Sequence, residues 1–213
     1  MDLSRFRRLP LLGILRGIEE RHVAPLANAI AAAGLEAIEI TMNTRDAPAL
    51  IRDMVSESND RFMVGAGTVL SLDDLDAALG AGATFVVMPV LIRDVVAACV
   101  AKDIAVFPGA LTPQEIFDAS RAGATMVKVF PAGCFGPAYF KEVKGPFRDV
   151  ELLACGGVHA ENISAYFGSG ASAVAFGGSV FRSAWLAAGE FGQIHAEVRA
   201  LVDACRRAQA AVP

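Results

Sequence analysis

One phrase recurs along the chain and limits its architecture more than any other feature. AAAGLEAIEI, LGAGATFVVM, SRAGATMVKV and FGSGASAVAF each run from helix-forming residues through a glycine into a short apolar strand. They are spaced about every forty residues or half that, the mark of a reused supersecondary unit. Eight apolar runs fit this rhythm: Leu11–Leu15, Ala37–Thr41, Phe62–Gly67, Thr84–Met88, Ile104–Gly109, Met126–Phe130, Glu151–Cys155 and Ala173–Gly178. Each is short and rich in Val, Ile and Phe, as buried parallel strands are.

The segments between the runs read as helices. Val23–Ala33 carries apolar residues at helical spacing and stops at Gly34. Ser71 with Asp74 resembles a capping box, with Asp in place of Glu or Gln, and that helix ends near Gly82. Thr112-Pro113 with Glu115 reads as a capped helix start, closed by Gly123. Asn162–Phe167 is a shorter helix, and Phe191–Ala211 a long final one. Eight strand–helix units predict an α/β fold, a (β/α)8 TIM barrel, spanning residues 1–213 as a single domain. At 213 residues the chain is short for such a barrel, typically about 250 residues, so its loops must be brief. An open doubly wound sheet is the alternative. No Gly-x-Gly-x-x-Gly follows the first strand, which argues against a dinucleotide site.

A net charge of −4 gives no reason to expect nucleic acid or an anionic membrane surface as partner. Cys99, Cys134, Cys155 and Cys205 are far apart and form no Cys-x-x-Cys pair, so neither a disulfide framework nor a zinc site is expected. His22, His159 and His195 show no ligand spacing, and no metal or cofactor is expected. No run of eighteen apolar residues exists, and the start of the chain lacks a signal-peptide core, so the expected location is the cytoplasm.

Barrel chemistry sits at the carboxyl ends of the strands. Lys128 lies in MVKVF, where alternation puts Met126, Lys128 and Phe130 on the interior face. Burying an ammonium there favours the neutral amine, a nucleophile for carbonyl carbon. The alternative is a structural ion pair. Glu39 lies in AIEIT and shares the inward face with Ala37 and Thr41. It is either an acid–base group, the counter-ion of Lys128, or both. Arg16, ending the first strand, can hold a carboxylate or phosphate, or be a plain surface arginine. Gly156-Gly157 and Gly177-Gly178-Ser179 follow the last two strands, where barrels often bind phosphate. Gly65-Ala66-Gly67-Thr68 offers a close backbone approach and a hydroxyl, and Pro89 shapes the mouth after the fourth strand.

Glu39-Ile40-Thr41, Gly65-Ala66-Gly67-Thr68-Val69, Val127-Lys128-Val129-Phe130-Pro131 and Gly156-Gly157-Val158, in that order, resemble the 2-keto-3-deoxy-6-phosphogluconate aldolases, including those also acting on 4-hydroxy-2-oxoglutarate. The resemblance runs from about Leu11 to the final helix. It implies a homotrimeric, metal-independent class I aldolase that releases pyruvate and glyceraldehyde 3-phosphate. By position, Lys128 would form the Schiff base and Glu39 would be the general acid–base. Thr68 would hold the substrate carboxylate, Pro89 and Phe130 would line the pyruvyl pocket, and Gly157, Gly178 and Ser179 would cradle the phosphate.

Two positions depart from the pattern. Many members have an arginine two residues after the strand-2 threonine, where this chain has Asn43. That resembles the galactonate-type branch and shifts the carboxylate to Arg16. Before Gly156-Gly157, gluconate-type members often have threonine and galactonate-type members valine, and here the residue is Cys155. Two other readings fit the residues: a phosphosugar epimerase or isomerase using Glu39 as base, and a non-catalytic phosphosugar-binding barrel.

Overall fold

The computed structural model describes residues 1–210. The apolar runs become parallel strands: β1 (Leu11–Leu15), β2 (Ala37–Thr41), β3 (Met63–Gly67), β4 (Phe85–Val87), β5 (Ala105–Phe107), β6 (Gly109–Ala110), β7 (Val127–Val129), β8 (Leu152–Cys155) and β9 (Ala173–Phe176). Their order is β5-β4-β3-β2-β1-β9-β8-β7-β6, every pair parallel. Both ends of that order lie in one stretch of chain, interrupted by Pro108. The expected fifth strand, Ile104–Gly109, is therefore two pieces. Proline has no N–H to donate to a ladder, so the stave changes neighbours there: β5 pairs with β4, and β6 with β7. Counted as staves, the barrel is the expected (β/α)8 type, closed through this covalent link.

Helices lie between the strands: α2 (Glu20–Ala33), α3 (Ala47–Ser58), α4 (Leu72–Gly80), α5 (Arg93–Ala101), α6 (Pro113–Arg121), α7 (Gly136–Lys144), α8 (Ile163–Gly168), α9 (Ser183–Ala188) and α10 (Phe191–Ala210). The cap signals in the sequence are realised unequally. The Thr112 hydroxyl accepts from the Glu115 N–H, and the Glu115 carboxylate accepts from the Thr112 N–H at 2.8 Å, a complete capping box. At α4 only half the box forms. Ser71 Oγ accepts from the Asp74 N–H, while the Asp74 carboxylate takes the N–H of Leu70 instead of that of Ser71. The helix expected from Val23 starts three residues earlier, at Glu20. Its opening is held by the Glu19 N–H donating to His22 Nδ1 at 3.0 Å. The expected end of the last helix, Ala211, lies outside the described residues.

Alternation along the strands sorts side chains into two cores. Ile38, Ile40, Val127 and Val129 face the helices. Leu12, Ala37, Phe85, Val87, Phe107, Met126, Leu153 and Cys155 fill the interior. Short N-terminal helix α1 (Leu3–Arg8) closes the amino end of the barrel by driving Phe6 into it, 6.0 Å from the Phe107 ring. Burying such a side chain contributes roughly 1.5–3 kcal/mol. The interior is therefore solid at the bottom and open only at the carboxyl ends.

Gly65 belongs to this filling. It pairs with Glu39 and faces inward, and the Phe85 ring occupies the space where its side chain would be. We expect Gly65→Ala to destabilise the protein by roughly 1–3 kcal/mol, the usual penalty of overpacking. Adding Phe85→Leu should recover part of that loss in urea denaturation.

Candidate active site

Lys128 sits in the middle of β7 and Glu39 in the middle of β2, both inward and almost fully buried (7% and 1% exposed). Three staves separate β7 from β2 by either route around the barrel, so the two groups face each other across it. The lysine backbone is fixed on one side by its N–H donating to the Pro108 carbonyl at 2.9 Å. On the other side it is in register with Leu153. Its ammonium lies 5.6 Å from the centre of the Phe130 ring.

Among the described residues no ion pair joins Lys128 to Glu39, and both Glu39 oxygens lack a hydrogen-bond partner. Lys128 therefore acts on Glu39 through its charge and not through a direct ion pair. Burial raises the Glu39 carboxyl above the ordinary range, and the opposing pull of Lys128 and Arg16 does not cancel it. Gly67 makes room for this group, since a Cβ there would stand 2.6 Å from the Glu39 Cδ. An unpaired, protonatable carboxyl across a gap from an amine is suited to moving a proton on a molecule held between them.

At the carboxyl ends of the strands opens a cavity of about 520 Å3, whose walls include neither Lys128 nor Glu39. Its lining takes Arg16 from the end of β1, Phe130 from beyond β7, and Cys155 with Gly156 and Gly157 from β8. Gly177, Gly178 and Ser179, after β9, complete the sequence-derived set. Lys128 lies two residues before Phe130, one pleat deeper than the rim. Arg16 is exposed at the mouth, yet its charge reaches both Glu39 and Cys155. The Cys155 thiol is pushed up by burial, a shift that the Lys128 charge opposes and the Glu39 charge reinforces. Gly156 and Gly157 take φ of +94° and +76°, a left-handed backbone that glycine adopts without strain.

Five expected residues are not part of this lining: Lys128 and Glu39 inside the barrel, and Pro89, Thr68 and Asn43. Pro89 lines a neighbouring depression of about 310 Å3, with the exposed Phe130 ring as the shared wall. Thr68 is half-buried with φ of +54° beyond β3 and lines neither space. Asn43 is exposed and also lines neither. Its neighbour Thr44 is the residue that turns inward. The Thr44 hydroxyl accepts from the Gly17 N–H and lies 3.0 Å from that of Thr41. This tie holds the chain just after Arg16 against the end of β2. Val158, quoted with its glycine pair, lines the cavity, and so do Gly17, Ala175 and Ser183, which the sequence reading did not assign to the site. Alternation of AVAF was the available signal for Ala175. Ser183 gave none, because it opens a six-residue helix too short to carry a clear periodicity.

A parallel barrel that sets a buried lysine across from an unpaired carboxyl, beneath a glycine-rimmed cavity, has the layout of a class I aldolase. The chain belongs to the KDPG and KHG aldolase family, whose model matches residues 3–197. It is 34% identical to the 2-dehydro-3-deoxy-6-phosphogalactonate aldolase of Escherichia coli K12 over 83% of this chain and 86% of that protein. It is 38% identical to the 2-dehydro-3-deoxy-phosphogluconate aldolase of Pseudomonas aeruginosa over 75% of this chain and 71% of that one. A solved native KDPGal structure superposes with a TM-score of 0.89 at 32% identity, covering 95% of this chain and 97% of its own. Among the described residues no helix is long and apolar enough to cross a membrane.

The raised Glu39 carboxyl has a consequence for stability. The folded protein keeps the proton at pH values where the unfolded chain, with an ordinary carboxyl near 4.5, has lost it. The stability from this group is full below that pH and is lost as pH rises through the folded value. Glu39→Gln, which stays neutral, should therefore melt above the wild type at pH 8. The gap should close as pH falls towards 5, whereas parallel melting curves would show no linkage.

Proposed function

We propose that the protein cleaves 2-keto-3-deoxy-6-phosphogluconate to pyruvate and glyceraldehyde 3-phosphate through a Schiff base on Lys128. The observation that carries this is the buried lysine facing an unpaired buried carboxyl across the barrel, beside a cavity walled by Arg16, Phe130 and Cys155. The neutral amine adds to the keto carbon, and loss of water leaves a protonated imine. Glu39, through a water, takes the proton of the hydroxyl on carbon 4. The bond between carbons 3 and 4 breaks, its electrons forming the enamine, and glyceraldehyde 3-phosphate departs. Glu39 returns the proton to carbon 3, and hydrolysis frees pyruvate and the lysine.

In this reading Arg16 holds the substrate carboxylate, with Thr68 and Asn43 nearby at the mouth. Phe130 and Pro89 wall the pyruvyl end, and Gly156, Gly157, Gly177, Gly178 and Ser179 take the phosphate. 4-Hydroxy-2-oxoglutarate would be a further substrate, using the same imine chemistry without the phosphate end. The 6-phosphogalactonate epimer is a second reading, supported by the exposed Asn43 beside a cavity-lining Arg16 and by the similarity to the Escherichia coli enzyme. A homotrimer in the cytoplasm is part of this reading, and contact between copies would cover apolar side chains such as Phe135, 58% exposed, and Val90, 51% exposed. Light scattering should then give three times the 22.3 kDa protomer.

Borohydride added with pyruvate should fix an adduct on Lys128, visible as a mass increase on its peptide. Lys128→Arg keeps the charge but cannot form the imine, so both adduct and pyruvate release should vanish. An active Lys128→Arg enzyme would instead point to epimerase or isomerase chemistry. Coupled pyruvate release from the gluconate and galactonate epimers decides between the two substrates.

A further inference from the structure

The cavity rim proposed for phosphate consists of backbone and one hydroxyl. Arg16, the cationic side chain that lines the cavity, is committed in the reading above to the carboxylate end. A phosphate monoester carries close to two negative charges, and the protein as a whole is net negative. A cation is therefore expected at the phosphate end as well.

Arg182 answers that need. It stands between Phe181 and Ser183, both of which line the cavity, and three residues beyond Ser179. Its Nε donates to the Ser179 carbonyl oxygen at 3.0 Å, which ties its head group to the loop that follows β9. Its guanidinium carbon lies 4.2 Å from the centre of the Trp185 ring, a stacked cation–π contact. Among the described residues no carboxylate pairs with it, and its two terminal nitrogens engage no protein acceptor. Arg5, Arg7 and Arg199, by contrast, are matched to acids. An exposed arginine is usually mobile. This one is held at both Nε and its planar face, leaving its bidentate edge free, a form suited to phosphate oxygens.

We infer that Arg182, oriented by Trp185 and the Ser179 carbonyl, is a phosphate-binding residue that sets the preference for a phosphorylated 2-keto acid. This rests on the proposed aldolase reading and adds to it a residue that the glycine motifs do not contain. Ser183 flanks the same edge and can donate a further hydrogen bond.

The test compares pyruvate release from 2-keto-3-deoxy-6-phosphogluconate and from its unphosphorylated counterpart. The wild type comes first: equal kcat/KM for the two would overturn both the phosphate reading and this inference. Given a preference, Arg182→Met should lower the ratio of the two kcat/KM values about ten- to hundredfold, the scale of lost charge-assisted hydrogen bonds. The loss should appear in KM for the phosphorylated substrate more than in kcat. Arg182→Lys should recover part of the ratio, and Trp185→Leu should lower it less than Arg182→Met. Arg207→Met, an exposed cation on α10, should leave the ratio unchanged. Inorganic phosphate should inhibit the wild type competitively, and less strongly once Arg182 is replaced. An Arg182→Met enzyme with an unchanged ratio, or one that loses both substrates equally, overturns the inference while leaving the Schiff-base mechanism intact.

Discussion

The organisation of this barrel depends on one uncomfortable group, the carboxyl of Glu39, buried with no hydrogen-bond partner. An isolated carboxylate in such a place is strongly disfavoured. The protein neither removes the group nor pairs it directly. It places the Lys128 ammonium on the opposite wall and the Arg16 guanidinium at the mouth, both too weakly coupled to overcome desolvation. The carboxyl is thereby left ready to hold and release a proton. Gly67 exists to give it room, and Gly65 gives room to the aromatic ring beneath it. These two glycines make the mouth polar and the base solid.

The division between the two ends follows from the same geometry. At the amino end, Phe6, Phe85 and Phe107 pack in tilted and edge-on contacts that exclude water. Chemistry is confined to the other end, where side chains give way to glycine backbone and a few cations. Net charge is a poor guide to such a site. The chain is acidic overall, yet Arg16 lines the cavity and Arg182 is tied to the Ser179 loop that follows β9, so positive charge is concentrated locally.

Much of this was legible in the residues. Strand alternation correctly turned Lys128, Glu39, Ala37 and Met126 inward, because a side-chain period of two survives any tertiary context that keeps the strand. The Thr112–Glu115 box was legible because both partners lie within one helical turn. Other features were not. α1 has a single buried residue, Phe6, and its six residues carry too little periodicity to announce a helix. It is helical because the barrel offers that ring a place. The break at Pro108 was readable as a missing donor but not as a change of ladder partner, which depends on where β4 and β7 lie. Thr44 sits in a loop, and Arg182 and Ser183 sit at the very start of the short α9, where position is set by neighbours remote in sequence.

What the sequence determined by itself was the unit and its inventory: a strand–helix repeat, a lysine and a glutamate on inward faces, and glycines after the last strands. Those are local properties, set by alternation, capping and backbone freedom. Only the tertiary structure decided that Lys128 and Glu39 face each other without touching. Their strands stand three staves apart by either route around the barrel, and only the closed sheet places them so. It likewise decided that Arg16 enters the cavity while Asn43 turns to solvent, because the Gly17–Thr44 tie sets the path of the chain at the mouth.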